Sequence, residues 1–241
     1  MNERILIIGA GGGIASALLA LAANDTRTQQ LHVISRRPPE VAPAQNVNWH
    51  VVNSQDETAI SNFCDQCVRD KITFTRIICC VGILHNDDVQ PEKRLEQISK
   101  QQLETYMLVN FITPSLWVKH AVKLLAPKCL TSFTVLSARV GSISDNQLGG
   151  WYGYRASKAA LNMMLKTAQV EYRRRLPESV LVAYHPGTVD TQLSKPFQAN
   201  VKPEKLFTPE FTAQALWREL DTLSVEKAPY YIDWQGKTIS W

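Results

Sequence analysis

Tyr154 and Lys158 are the two residues whose types and spacing most directly suggest chemistry in this chain. They lie four positions apart, so in a helix their side chains share one face, one turn apart. An ammonium held near a phenol favours the phenolate and lowers the pKa of the phenol. Such a phenol can donate a proton near neutral pH, which a carbonyl oxygen needs when its carbon receives hydride. Because Tyr-x-x-x-Lys also occurs by chance on surface helices, the interpretation depends on whether the chain builds a dinucleotide site.

The N-terminal segment has the pattern of such a site. Residues 5–8 are a short apolar run typical of a buried parallel strand, residues 9–13 are glycine-rich, and residues 14–23 are apolar and helix-forming. A strand, a glycine turn and a helix together place backbone N–H groups and a helix N-terminus against a pyrophosphate. The absence of a Cβ on the glycines lets the backbone approach the phosphates closely.

The same segment also allows a signal peptide or a membrane span, because residues 5–23 contain no charge. Four glycines within five positions argue against this alternative, since each costs a helix about 1 kcal/mol relative to alanine. We therefore predict a cytoplasmic protein without a membrane partner.

Length and composition fit one globular domain spanning residues 1–241, with 45% hydrophobic and 20% charged residues. The net charge of +4 is modest, and the basic run at 173–175 ends a predicted helix, so we expect no nucleic-acid partner. Five cysteines, an odd number, give no disulfide framework, and no spacing predicts a metal site.

Strands and helices are predicted to alternate along the whole chain. Strands are predicted at 5–8, 31–35, 48–52, 76–81, 131–137, 180–184 and 229–232, and helices at 13–23, 56–69, 99–125, 153–176 and 209–223. This alternation predicts an α/β fold, a Rossmann-type doubly wound parallel sheet of about seven strands with helices on both faces. Ligands of such sheets bind at the carboxyl ends of the strands, where the chemically interesting residues of this chain fall.

Four motifs in this order resemble the short-chain dehydrogenase/reductase family in its single-domain form. They are Gly9-x-x-x-Gly13-Ile14, Asn110 in the long middle helix, Tyr154-x-x-x-Lys158, and Pro186-Gly187-Thr188-Val189-x-Thr191. The stretch 149–162 and the ending Trp234-x-Gly236-Lys237-x-x-x-Trp241 are similar to the carbonyl-reductase and C-factor-like branch of that family.

The resemblance implies a role for each matching residue. Tyr154 would protonate the carbonyl oxygen, Lys158 would lower the pKa of Tyr154 and bind the nicotinamide ribose, and Asn110 would hold a water that links Lys158 to solvent. Asn110 could instead be a buried amide that bridges backbone groups. The implied cofactor-binding residues are Gly9, Gly11, Gly12, Gly13, Ile14, Ser35, Arg36, Arg37, Asn53, Val81, Gly82, Tyr154, Lys158, Pro186, Gly187, Thr188 and Val189.

The end of the second strand predicts NADP(H) in preference to NAD(H). It has Arg36 and Arg37 after Ser35, without the carboxylate that holds the ribose hydroxyls in NAD enzymes. A guanidinium there would pair with a 2′-phosphate in a charge-assisted contact. The two arginines could also belong to a solvated loop.

The chain departs from the family pattern at the serine that normally polarises the carbonyl, because Ala138 stands in its place. Ser137 is adjacent but should point to the opposite face of the strand, since side chains alternate. Ser142 and Ser144 follow on a loop. A missing donor of this kind can cost on the order of 10²–10³ in rate. Either another serine substitutes, with Ser137 or Ser142 our choice, or catalysis is slow.

Two functions therefore follow from the sequence. The first is an NADPH-dependent reductase of an aldehyde or ketone, and the alternative is an NADP(H)-binding signalling or sensor protein with little or no turnover. Residues at about 190–208 would form a lid whose apolar side chains suit an uncharged, partly apolar small-molecule carbonyl. Classical members of the family resembled often form dimers or tetramers, so the resemblance is compatible with a homodimer or tetramer, and the sequence leaves the oligomeric state open.

Overall fold

The structure, a computed structural model, describes residues 2–39, 44 and 46–241. Nine strands lie in this part of the chain, and seven of them form one sheet in the order β3-β2-β1-β4-β5-β6-β9. The strands are β1 Glu3–Ile8, β2 Thr28–Ser35, β3 Val47–Val51, β4 Arg76–Cys79, β5 Thr131–Leu136, β6 Ser179–His185, β7 Thr188–Val189, β8 Leu206–Phe207 and β9 Tyr230–Asp233. Every neighbouring pair in the large sheet is parallel. The predicted Rossmann-type sheet is confirmed.

Helices cover both faces of the sheet, as predicted. They are α1 Gly13–Asn24, α2 Glu57–Arg69, α3 Lys100–Met107, α4 Thr113–Ala121, α5 Tyr152–Arg175 and α6 Pro209–Leu220. Apolar side chains of α2, α4 and α5 pack on one face of the sheet, and those of α1 and α6 pack on the other. The side chains of Ile5 to Ile8 are fully buried, because β1 lies near the middle of the sheet and has a core on each side.

The predicted helix over 99–125 is interrupted in the structure. A π-helical turn at Leu108–Ile112 separates α3 from α4, and the N–H of Thr113 bonds to the carbonyl of Leu108, five residues back. Pro114 follows directly and has no N–H to donate to the carbonyl of Asn110, which removes one α-helical hydrogen bond at this point. The prediction of one continuous helix was therefore wrong, and the interruption contains Asn110.

The site region is set by the order of the strands. The chain passes from β1 outward through β2 and β3, and then returns to the other side of β1 with β4. Connections leaving β1 and β4 thus run in opposite directions, which opens a crevice at the carboxyl ends of these strands. The glycine turn after β1 and the segment around Val81 and Gly82 after β4 border this crevice.

Candidate active site

The glycine turn has the backbone geometry and the open surface that a phosphate needs. Gly9 has a φ of +86°, and a Cβ there would lie 3.0 Å from the Val81 side chain. A Cβ on Gly11 or Gly12 would instead meet no atom within 4 Å, so this part of the turn faces open space. Gly12 begins α1 without any side-chain cap. The first N–H groups of α1 are therefore suited to an anion such as the pyrophosphate of a dinucleotide.

The far end of the turn packs against the predicted lid. A Cβ on Gly13 would lie 2.8 Å from the Cγ2 of Thr191, a contact closer than van der Waals packing permits. Ile14, the next residue, is half-buried against the core on the α1 side of the sheet. Only glycine at position 13 thus lets the first turn of α1 and the start of the lid approach each other.

Arg36 and Arg37 lie at the carboxyl end of β2, and both are exposed. The Oγ of Ser35 accepts a hydrogen bond from the N–H of Arg37, and Trp49 donates its ring N–H to the carbonyl of Arg37. These contacts hold the backbone and leave the guanidinium groups out of the fold. The position and the charge suit an anionic group beside the glycine turn.

Asn53 follows β3, where the family resemblance implied an adenine contact. Its Oδ1 accepts a hydrogen bond from the N–H of Gln55, 3.1 Å away, and the residue is exposed. The side-chain oxygen is therefore engaged in a local turn, while the amide nitrogen is the group left to face a ligand.

Tyr154 and Lys158 share one face of α5, as the spacing predicted. Tyr154 is 8% exposed and Lys158 is 3% exposed, and the Nζ of Lys158 lies 5.9 Å from the centre of the Tyr154 ring. The Nζ donates a hydrogen bond to the carbonyl of Leu136 at 2.8 Å, at the carboxyl end of β5. An ammonium and a phenol thus lie buried together at the edge of the sheet where ligands of this fold bind.

Burial dominates the pKa values of Tyr154 and Lys158, so the net pKa of Tyr154 is raised, and the lowering effect of Lys158 stays a prediction. Burial raises the pKa of Tyr154 above its ordinary value, and the nearby Tyr231 raises it further. Burial also lowers the pKa of Lys158, to about 8. Desolvation disfavours the charged form of both groups, and it is the largest cause of each shift. Tyr154 is therefore a protonated acid at neutral pH.

Asn110 makes the backbone bridge that was the alternative to its water-holding role. Its Oδ1 accepts from the N–H of Ile83, and its Nδ2 donates to the carbonyl of Ile83 and to the Oγ of Ser157. The Oδ1 of Asn110 and the Nζ of Lys158 each lie 3.5 Å from the position of a Cβ on Gly82. Asn110 therefore fixes the chain after β4 next to Lys158.

The serine hydroxyls near the site are engaged elsewhere. Ser137 is buried and donates to the Oδ1 of Asn162 at 2.6 Å, whereas Ala138 packs in the same cluster as Tyr154. Ser142 and Ser144 lie within 3.4 Å of each other through their hydroxyls. The role of Ser137 in polarising the carbonyl stays a prediction, and in this structure its hydroxyl is engaged by Asn162.

The segment after β6 leads into the predicted lid. Gly187 has a φ of +77°, and a Cβ there would lie 2.6 Å from the Phe207 ring. After Pro186, residues Thr188 and Val189 form β7, which pairs with β8 in a two-stranded parallel sheet. The lid at 190–208 thus contains a strand that the sequence pattern did not predict, and this strand ties both ends of the lid together.

Aromatic side chains enclose the space beside Tyr154. Trp151 packs edge-to-face on Tyr154 and on Phe197 of the lid, with ring centres 6.0 and 5.3 Å apart. The His85 ring packs on Phe197, and its Nε2 lies 2.9 Å from the carbonyl of Gln192. A cleft of about 580 Å³ adjoins this cluster and shares Phe197 with it.

Two residues at this site were missed from the sequence, namely Glu92 and Tyr106. Glu92 is 2% exposed and accepts a hydrogen bond from the N–H of Gly153, and Tyr106 packs against Tyr154. Neither lies in a motif, because both reach the start of α5 from distant parts of the sequence. No local pattern could have identified them.

The structure gives little basis for thiol chemistry, for metal binding or for a membrane span. Burial raises the pKa of Cys64 to about 12 and that of Cys67 to about 11, so both remain thiols. Within the described residues, no group of three or more His, Cys, Asp or Glu side chains could hold a metal ion. Over those same ranges, no helix combines the length and the apolar character needed to cross a bilayer.

A family comparison identifies the chain. The model of the family described as short chain dehydrogenase matches residues 3–202. This chain is a short-chain dehydrogenase. It belongs to a family of oxidoreductases, and the family predicted from the sequence is thereby confirmed.

Three individual proteins that are similar to this chain in sequence share between 24% and 36% of aligned residues with it. The C-signal protein of Myxococcus xanthus is 34% identical over 107 residues, which is 44% of this chain and 58% of that protein. A 1-hydroxy-2-glutathionyl-2-methyl-3-butene dehydrogenase of a Rhodococcus species is 36% identical over 44% of this chain and 45% of its own length. The matched region therefore spans only about half of each of these two relatives. A benzil reductase of Bacillus cereus is 24% identical over 90% of this short-chain dehydrogenase and 94% of the relative.

Solved structures share the fold of this short-chain dehydrogenase over nearly its whole length. The carbonyl reductase Sniffer of D. melanogaster superposes with a TM-score of 0.86, at 19% identity and with both chains fully covered. An NADPH-bound carbonyl reductase from chicken fatty liver has a TM-score of 0.83 at 22% identity, with 99% of each chain covered. At these identities the likeness concerns the fold.

Proposed function

We propose that this short-chain dehydrogenase is an NADPH-dependent reductase that converts an aldehyde or ketone into an alcohol, with Tyr154 as the proton donor. The buried pair of Tyr154 and Lys158, placed between the glycine turn and the lid, is the observation that supports this proposal. Bound NADPH supplies the hydride that reaches the carbonyl carbon. The residues of the chain supply binding, orientation and the proton.

In this proposal Tyr154 transfers its hydroxyl proton to the carbonyl oxygen. Its pKa is raised by burial, so the proton is present at neutral pH and is released only as negative charge develops on the oxygen. Lys158, with a pKa near 8, is mostly charged at neutral pH and stabilises the phenolate that remains. Asn110 holds the backbone at Ile83 beside Lys158, and we propose that a water at this point resupplies the proton.

The aromatic lining supports an uncharged, partly apolar substrate. Trp151, Phe197 and His85 are each half-buried beside Tyr154, so they present apolar surface to a ligand. Lys195 of the lid lies 3.7 Å from Asp190 and is largely exposed, which suits a solvated pair better than an anion-binding group.

NADPH preference is proposed from Arg36. Its exposed guanidinium follows β2, where a 2′-phosphate would lie if the pyrophosphate occupied the glycine turn. Loss of one charge-assisted contact costs about 1.5–3 kcal/mol, and we therefore expect Arg36→Asp to weaken NADPH binding about 10- to 100-fold. NADH has no 2′-phosphate, so its affinity should change less than threefold.

The experiment is a titration with NADPH and separately with NADH, followed by the fluorescence of the tryptophans. Arg94→Asp is the matched control, because Arg94 is also exposed but lies in the loop after β4. Equal losses for both cofactors in Arg36→Asp would contradict the proposed preference. Absence of binding by the wild type near millimolar concentration would contradict the phosphate site itself.

A second candidate is an NADP(H)-binding signalling protein with little turnover. Ala138 favours it, because the donor that the family places beside Tyr154 is missing. A part of the chain is also similar to a protein named C-signal. A screen of aliphatic and aromatic aldehydes and ketones, read by NADPH oxidation, separates the two: tight NADPH binding without turnover of any carbonyl would support this second candidate.

A further inference from the structure

The helix that contains Tyr154 begins without a cap of its own. Trp151, the residue before α5, has a left-handed backbone with a φ of +54°, and its side chain makes no capping hydrogen bond. The first N–H groups of any helix lack partners within the helix, and leaving them unpaired in a buried position is costly. Partners for this end of α5 must therefore come from elsewhere in the chain.

Glu92 supplies them from the loop between β4 and α3, about sixty residues away. Its Oε2 accepts a hydrogen bond from the N–H of Gly153 at 3.1 Å, and its backbone carbonyl accepts one from the N–H of Trp151 at 2.5 Å. One residue thus binds two free donors at the start of α5. It acts as an N-cap that is built by tertiary structure rather than by the local sequence.

The Glu92 carboxylate is buried, and its desolvation costs free energy unless interactions with the start of α5 compensate for it. The residue is 2% exposed, and its Oε1 has no hydrogen-bond partner among the described residues. A negative charge at a helix N-terminus interacts favourably with the helix dipole, and this offsets part of the cost of desolvation. The two hydrogen bonds and the helix N-terminus thus account for the position of this buried side chain.

The first turn of α5 is packed tightly between the side chains of Glu92 and Tyr106. A Cβ on Gly153 would lie 2.5 Å from the Cδ2 of Tyr106 and 3.0 Å from the Oε1 of Glu92. Tyr106 is itself fixed, because its hydroxyl donates to the carbonyl of Leu84 at 2.7 Å. Gly153 is thus clamped from two sides, and the next residue in the chain is Tyr154.

We infer that Glu92 is a positioning residue for the reaction, which sets the direction of the Tyr154 hydroxyl by clamping the first turn of α5. This inference rests on the proposed function. A displacement of the reacting group by about 1 Å can cost on the order of 10²-fold in rate. Glu92 should therefore control kcat, whereas the NADPH site at the glycine turn should be insensitive to it.

The test compares Glu92→Gln, Glu92→Asp and Glu92→Ala in the full chain, with the carbonyl substrate that the screen identifies. Gln keeps the length and one oxygen acceptor, so we expect kcat within about fivefold of the wild type. Asp keeps the charge but is one methylene shorter, and Ala removes the acceptor, so both should lower kcat by about 10- to 100-fold. The Kd for NADPH should stay within about twofold in all three variants.

Glu96→Ala is the matched control, because Glu96 lies four residues further along the same loop and is exposed. It should leave kcat unchanged. If Glu92→Ala does not fold, as judged by circular dichroism, the Asp and Gln variants alone decide the question. Gly153→Ala is a second route to the same displacement, and it should also lower kcat with little change in NADPH affinity.

Three results would overturn the inference. One is a kcat within twofold of the wild type for Glu92→Asp. Another is a Gln variant as slow as the Asp variant, because keeping the length and the oxygen acceptor would then fail to preserve the rate. The third is a loss of NADPH affinity that parallels the loss of kcat, which indicates a general structural role. A wild type that binds NADPH and reduces no carbonyl contradicts the proposed function instead, and this outcome is visible before any variant is made.

Discussion

At the scale of single residues, the site combines the buried phenol that we propose as the proton donor with an alanine where the family resemblance implies a polarising serine. Tyr154 and Lys158 are both buried. Burial raises the pKa of Tyr154 and lowers that of Lys158, so it favours the neutral form of each residue. Ala138 lies in the cluster around Tyr154, where a hydroxyl would otherwise face the carbonyl oxygen. In the proposed reaction the acid is therefore in place, while part of the stabilisation of negative charge on the substrate oxygen is absent.

Restoring that hydroxyl should increase turnover. We expect Ala138→Ser to raise kcat for carbonyl reduction by about 10-fold or more, because one donor to a developing oxyanion is worth on the order of 10²-fold when it is well aligned. Steady-state kinetics with NADPH measures this directly. Ser137→Ala is the control, since the Ser137 hydroxyl donates to Asn162 and should change kcat little. A rate for Ala138→Ser equal to that of the wild type would show that another group already polarises the carbonyl.

Lys158 should reduce the stability of the fold. Its pKa falls from 10.5 to about 8 on folding, so the unfolded chain binds the proton more tightly. The penalty is fully present below about pH 8 and disappears as the pH rises toward 10.5. Lys158→Met should therefore raise the free energy of unfolding at pH 7 by about 1–3 kcal/mol, with part of the gain lost through the hydrogen bond to Leu136.

Urea denaturation at pH 7 and at pH 9.5 checks this expectation, and the gain should shrink at the higher pH. Lys166→Met is the control, because Lys166 is exposed on the same helix and its replacement should leave the free energy of unfolding nearly unchanged. A Lys158→Met variant less stable than the wild type at pH 7 would mean that the ammonium contributes more by its contacts than burial costs it.

At the scale of elements, pairs of secondary structures are joined by a few specific contacts. Gly13 of α1 meets Thr191 of the lid, Gly187 lies against Phe207 of β8, and Glu92 holds the start of α5. Each contact joins segments that are far apart in sequence. A substitution at one of these contacts should therefore change how two elements are positioned against each other, rather than the stability of either element.

The β2–β3 pair contains a titratable contact of this kind. The Nδ1 of His32 lies 3.0 Å from the Nε2 of His50, and their rings stack with centres 5.2 Å apart. Burial, and then the charge of His50, lowers the pKa of His32 from 6.5 to about 4. Burial lowers the pKa of His50 as well. Both rings are therefore neutral at pH 7, and one donates to the other.

Acid should weaken this contact and with it the fold. Because the unfolded chain binds the His32 proton more tightly, stability is lost as the pH falls below about 6.5, and the loss levels off below pH 4. At pH 5 the His32 contribution should amount to about 2 kcal/mol. Denaturation curves at pH 7 and pH 5 measure the loss, and His32→Phe should reduce it.

His120→Gln provides the comparison, because His120 lies beside Glu57 on the surface of α4 rather than in the β2–β3 contact. It should keep the acid-induced loss. A wild type equally stable at pH 7 and pH 5 would show that the histidine pair is protonated without cost.

At the scale of the whole molecule, the order of the strands brings the separate motifs together. The glycine turn follows β1, the arginines follow β2, Asn110 lies between α3 and α4, and Tyr154 lies in α5. All except Asn110 and Tyr154 directly follow a strand. Because the sheet is parallel, the carboxyl ends of all its strands lie on one edge. The segment predicted to be a lid also reaches this edge, where Thr191 contacts Gly13 and Phe197 contacts Trp151.

The sequence by itself determined the sheet, the glycine turn and the pairing of Tyr154 with Lys158. Each of these depends on local information: apolar runs of strand length, glycines at fixed spacing, and a four-residue helical repeat. Even the helix boundaries were mostly predicted within a few residues. The break at Leu108–Ile112 was missed, because a π-helical turn depends on the long-range bonds of Asn110 as well as on Pro114.

Only the tertiary structure decided the protonation of the site and the support of its helix. The pKa of Tyr154 depends on how far the residue is buried away from water. The spacing in the sequence predicted that Lys158 is its neighbour on the helix, but it did not predict the burial. The strand β8, the engagement of Ser137 by Asn162, and the capping of α5 by Glu92 all join residues far apart in the chain. Such contacts follow from packing, which a local pattern does not encode.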